Sequence, residues 1–127
     1  MTPTEAFTLT AAAGLILTGL VHSIGGEIYL LRPMFRKRGN RVLEHPLARM
    51  VLRFAWHLTT LTWGLLAAIL VTSTWRPEAI GQVAFLGTGG VFVAAGLVDL
   101  VWSRGRHIGW PLLTGTGVLA LCAGFPG

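Results

Sequence analysis

Four stretches of the chain are apolar at almost every position, and three short polar stretches separate them. The apolar runs cover about residues 6–31, 47–73, 79–102 and 107–124. Most approach or exceed the ~20 residues needed to cross a hydrocarbon layer ~30 Å thick. They are built from Leu, Ala, Ile, Val and Gly, without the strict alternation of a half-buried strand. The pattern predicts an all-α fold: a four-helix transmembrane bundle of two antiparallel hairpins, with residues 1–127 forming a single integral membrane domain.

Polar and small residues recur inside these runs at helical spacing. In the second run Arg49, Arg53, His57, Thr60, Gly64 and Ala68 form one stripe, while Leu, Val, Phe and Trp occupy the other faces. The first run carries Gly14, Thr18, His22 and Gly26, and the third carries Gly89, Phe92, Gly96, Asp99 and Ser103. Such stripes are expected to face other helices, because small residues let two backbones approach and polar groups avoid acyl chains. Arg32-Pro33 is expected to end the first helix, and Pro111 falls in the first turn of the fourth, where a missing N–H costs little. Gly19-Leu20-Val21-His22 and Gly96-Leu97-Val98-Asp99 echo one another, but tetrapeptides of common residues do not establish a duplication.

Composition narrows the class. With 53% hydrophobic and 12% charged residues among 127, the chain lies outside the balance of a soluble domain. The net charge of +5 would point to nucleic acid in a soluble protein, but nine of the ten Lys and Arg lie in or beside two connections on one side, with Arg76 alone on the other. The positive-inside rule then predicts a multi-pass protein of the cell (inner) membrane, both termini outside the cytoplasm, and no nucleic-acid partner. The run Arg32-Pro33-Met34-Phe35-Arg36-Lys37-Arg38-Gly39-Asn40-Arg41 should attract anionic lipid headgroups. Met1-Thr2-Pro3-Thr4-Glu5 lacks the basic residues of a signal peptide, so the first helix is expected to stay. One cysteine, Cys122, leaves no internal disulfide or CxxC motif. So small a bundle has little interior, which predicts a homo-oligomer or a larger membrane partner.

Depth can be counted at 1.5 Å per helical residue from the basic side. His22 and His57 then fall ~15 Å in, and Glu27, Arg53 and Asp99 share a layer ~7–9 Å in. Around the helix, Glu27 lies about 140° from His22 at 100° per residue. Two imidazoles at one depth on small-residue stripes suit a haem or a divalent transition metal, so His22 and His57 are the expected ligands. Glu27, Arg53, Asp99 and Thr60 form the surrounding ion-pair and hydrogen-bond network. The same residues also suit a proton- or ion-conducting carrier, and a third reading is a tetraspan scaffold or assembly subunit. His45, His107 and Trp110 lie at the basic end as interfacial residues or, functionally, as the cytoplasmic mouth of a path to His57. Trp56 and Trp63 form an aromatic ridge for packing or lipid contact. No catalytic motif is present: Ser23, Ser73 and Ser103 have no evident base, and Gly87-Thr88-Gly89-Gly90 lacks the lysine of a phosphate loop.

Overall fold

The computed structural model describes residues 1–125; the last two positions of the single domain read from the sequence lie outside them. The described residues are helical apart from short connections and contain no strand. Helix α1 covers Pro3–Arg36 as one continuous rod. It begins before residue 6 because Thr2 caps it. The Thr2 hydroxyl accepts from the Glu5 N–H at 3.2 Å while the Glu5 carboxylate accepts from the Thr2 N–H at 2.7 Å, with Pro3 opening the first turn.

From Val21 to Leu31 α1 widens into a π-helix, in which each N–H bonds the carbonyl five residues back. It then tightens again over Arg32–Arg36, so Pro33 does not end the helix as expected: it stands in the first turn of a new α-piece, where no N–H is required. Asn40 caps the short helix α2, Arg41–Glu44, by accepting from the N–H groups of Val42 and Leu43. Helix α3, Pro46–Trp75, is the longest regular α-helix. One 3-10 turn, Pro77–Ala79, leads into α4, Ile80–Ser103, and α5 covers Gly109–Gly124. Arg104 and Gly105 take left-handed backbone at φ 52° and 73°, closing the turn between α4 and α5.

Three helices are long and apolar enough to cross a membrane; α5, of 16 residues, is apolar but shorter, ~24 Å. The apolar surface faces outward: Leu17, Val21, Tyr29, Val101 and Leu119 are each at least 64% exposed, whereas among the described residues the buried apolar side chains are only Ala12, Leu31, Phe35, Phe54, Ala67 and Ala95. A protein in water does not present such a surface, so the exposure marks a membrane protein. Successive long helices pack side by side, α1 on α3, α3 on α4 and α4 on α5, and no extensive packing joins α1 to α5. The helices therefore form a row, not a closed ring.

The α4–α5 contact is the tightest. A Cβ placed on Gly89 would stand 2.9 Å from the Gly117 carbonyl, and one on Gly117 would stand 2.6 Å from the Val93 N and 2.9 Å from the Gly89 carbonyl. Gly96 likewise lies against the Trp110 carbonyl and the Thr114 backbone. Only hydrogen on these α-carbons permits so close an approach.

Candidate functional site

The polar residues of α1 and α3 meet along the face where the two helices touch. Glycines admit the contact here too, but against side chains: Gly19 lies on Thr60, and a Cβ on Gly26 would run into the Trp56 indole at 2.6 Å. The Trp56 Nε1–H donates to the His22 carbonyl at 2.8 Å. The π-turn decides which residues of α1 face α3. With i→i+5 bonding each turn takes more residues, so His22 and Glu27 come much nearer to one face than the about 140° of an ideal α-helix allows. Of the stripe read as Gly14, Thr18, His22 and Gly26, the last two meet α3, while the first two lie ahead of the π-turn and off the contact. Nothing stands within 4 Å of a Cβ on Gly14, Thr18 is exposed, and Gly19 and Ser23 take their place.

At the basic end of this face Glu27 is held by two guanidinium groups. Arg53 grips it with both arms, Nε to Oε2 at 3.0 Å and Nη2 to Oε1 at 2.9 Å, and Arg32 Nε adds a bond to Oε1 at 3.2 Å. Such a two-pronged pair is stronger and more directional than a single contact. Phe35, buried beneath, lies 5.3 Å from the Arg53 guanidinium and 5.9 Å from that of Arg49, so an aromatic face backs both cations. Arg49 also donates to the Leu43 carbonyl, which ties α2 to α3.

One turn deeper stands His57. Its Nε2 lies 3.7 Å from Glu27 Oε2, and its Nδ1 shares a 2.7 Å hydrogen bond with Ser23 Oγ. Ser23 also donates to Thr60 Oγ1 at 3.0 Å, and Thr60 donates to the Gly19 carbonyl at 3.3 Å. Carboxylate, imidazole and two hydroxyls thus form one string along the α1–α3 face. Ser23 is the member that sequence reasoning missed. No base lies near it in the sequence, because the base stands 34 positions away on another helix. The one signal for it was its place four residues before Glu27 in the same run.

The two histidines proposed as joint ligands have separate surroundings. The His22 ring stacks on Trp56, centroids 4.1 Å apart and nearly parallel at 6°, and leans on Trp63 at 5.0 Å. Its Nε2 is buried without a hydrogen-bond partner. Trp56 and Trp63 are therefore the two jaws that hold His22. Among the described residues no three His, Cys, Asp or Glu side chains converge as a metal-binding set.

Asp99 does not join Glu27 and Arg53, although counting gave it the same depth. It is fully buried between α4 and α5, and its Oδ2 bonds His107 Nδ1 at 2.7 Å. Depth is common to all four helices, whereas direction belongs to each, and Gly89, Gly96 and Asp99 turn toward α5 and its preceding turn. Of the residues placed at a cytoplasmic mouth, His107 closes over Asp99, the Trp110 carbonyl packs on Gly96, and His45 stands before the first turn of α3. None of the three is bonded to His57.

On its other side His57 borders an apolar cavity of about 170 Å³ between α3 and α4, walled by Phe54, Leu61, Ala95, Val98 and Trp102. No family model matches the chain, and comparison with curated proteins and with solved structures finds no match.

Proposed function

We propose that this chain is a small integral membrane carrier module that handles protons through His57, with Glu27 and Ser23 as its exchange partners. The observation that carries this reading is one imidazole with a hydroxyl 2.7 Å from one nitrogen and a carboxylate 3.7 Å from the other, set between two apolar helices. Imidazole changes charge near neutral pH, a hydroxyl both donates and accepts, and ionisable groups inside membrane helices mark proton paths. A proton on Nε2 is stabilised by Glu27, while Nδ1–H donates to Ser23, whose hydroxyl donates onward to Thr60. That string ends at the Gly19 carbonyl, which cannot pass a proton on, so the exchange needs a further partner. The cavity against His57 supports one: an apolar occupant that takes or gives a proton there.

In this reading the chain is a four-helix transmembrane bundle of two antiparallel hairpins, α1 with α3 and α4 with α5, in the cell (inner) membrane with both termini outside the cytoplasm. The outward leucines and the one-sided arginines support it. The short α5 is accommodated by local thinning of the bilayer. The open row, which leaves α1 and α5 each with a free flank, supports a homo-oligomer or a larger partner.

The test is proton flux into liposomes carrying a pH-sensitive dye under an imposed potential. Wild type should exceed empty vesicles, with His57→Ala and Glu27→Gln at background and Ser23→Ala reduced, at equal incorporation. Wild-type flux at the level of empty vesicles removes the proposal. A second reading, a haem or metal held through His22, is favoured by its partnerless buried Nε2. A colourless, metal-free preparation whose unfolding temperature is unmoved by haem, zinc, iron or copper eliminates it.

A further inference from the structure

We propose that the cavity between the start of α3 and the α4–α5 turn binds the phosphate of an anionic lipid headgroup. It measures about 460 Å³ and is walled by Leu47 and Met50 on one side and by Trp102, Ser103, Arg104 and Arg106 on the other. The proposal rests on the membrane reading of the chain and adds a site that the sequence did not suggest, since the expected lipid contact was the run 32–41.

Three independent features point to an anion. Arg104 and Arg106 line the cavity and, among the described residues, have no carboxylate partner, so their two positive charges stand uncompensated at its wall. Ser103 is 3% exposed and its hydroxyl has no hydrogen-bond partner, although buried hydroxyls are nearly always satisfied. A phosphate oxygen is an acceptor for it. The N-terminus of α3 also reaches this wall; Pro46 has no N–H and Arg49 N–H bonds the His45 carbonyl, which leaves the Leu47 and Ala48 N–H groups, uncapped by any side chain, and the positive dipole end for an anion. The opposing carbonyls at the end of α4 are already bonded, by Gly105 N–H to Leu100 and Arg104 N–H to Val101.

The apolar walls select a lipid over free phosphate. Leu47, Met50 and Trp102 offer carbon surface beside the cations, and a neighbouring cavity of about 430 Å³ shares Pro46, Met50 and Trp102 and continues toward Glu44, Arg49 and Arg53. A charged head at the turn with a chain laid along Met50 and Trp102 fits that groove.

The experiment measures the unfolding temperature of the full chain in neutral detergent with added phosphatidylglycerol, phosphatidylcholine or inorganic phosphate. Phosphatidylglycerol should raise it by several degrees and phosphatidylcholine should not. The double variant Arg104→Gln/Arg106→Gln should lose at least half of the shift, and Ser103→Ala part of it. Arg36→Gln/Arg38→Gln, in the other basic segment, should keep it. An equal shift with phosphatidylcholine, or an undiminished shift in both Arg104→Gln/Arg106→Gln and Ser103→Ala, overturns the site. Inorganic phosphate reproducing the whole shift overturns the lipid as its occupant. Failure in either form leaves proton flux through His57, measured separately, untouched.

Discussion

The two helix pairs are held together by different means. Between α4 and α5 the backbones themselves meet, through Gly89, Gly96 and Gly117, and the carboxyl group on that face, Asp99, is sealed from solvent with His107 as its partner. Between α1 and α3 side chains meet, and the polar ones form a string whose arginines remain 40% and 59% exposed. The first pair is a close backbone-to-backbone clasp. The second has polar groups with alternative partners, a carboxylate at 3.7 Å from an imidazole, and a cavity beside it. Chemistry that requires a proton or a ligand to move belongs on the second.

The largest effect should come from the clasp. His107→Ala leaves the Asp99 carboxylate buried without its partner and should cost about 3–5 kcal/mol, read as a collapse of thermal stability in detergent. A loss below about 1 kcal/mol would mean that the Asp99–His107 contact does not hold this pair together. Next, Gly117→Val pushes a side chain into Val93 and the Gly89 carbonyl and should destabilise by about 1–3 kcal/mol. The same size of change at Gly26 meets the Trp56 indole, a side chain in place of a backbone. If Gly26→Val were the more damaging of the two, the contrast between backbone and side-chain packing would be wrong.

On the α1–α3 face, Glu27→Gln should cost only about 1 kcal/mol, because its arginine partners are partly exposed, while proton flux falls to background. Stability and activity therefore separate on this face and coincide on the other. The smallest effect belongs to Gly14, which faces open space: Gly14→Ala should stabilise by up to about 1 kcal/mol through helix propensity alone. A measurable loss in that variant would reveal a partner seated on the free flank of α1.

Much of the architecture was legible in residues 6–31, 47–73 and 79–102, because hydrophobic length is a local property that any window of the chain reports. The start of α1 was legible too, in Thr2-Pro3-Thr4-Glu5, but its composition was weighed as a targeting signal and its capping pattern passed over. Glu27 and Arg53 could be matched by depth and opposite sign, since a charge inside an apolar helix needs a partner. Asp99 followed the same rule and was assigned to the wrong group, because depth does not tell which neighbour a helix face meets. Ser23 gave no signal on its own: a serine in an apolar helix usually bonds its own backbone.

The sequence by itself determined that this chain is helical, that its helices are long and apolar enough for a membrane, and which few residues had to find polar company there. Those follow from the transfer of each side chain out of water, which is fixed residue by residue. Only the tertiary structure decided who meets whom: that His57 stands between Ser23 and Glu27, that His22 is clasped by Trp56 and Trp63, and that Asp99 turns to His107. The reason is angular. A π-turn rotates everything beyond Val21 relative to an ideal α-helix, and the order in which helices pack selects the face that is used. Neither is a property of any single stretch of residues.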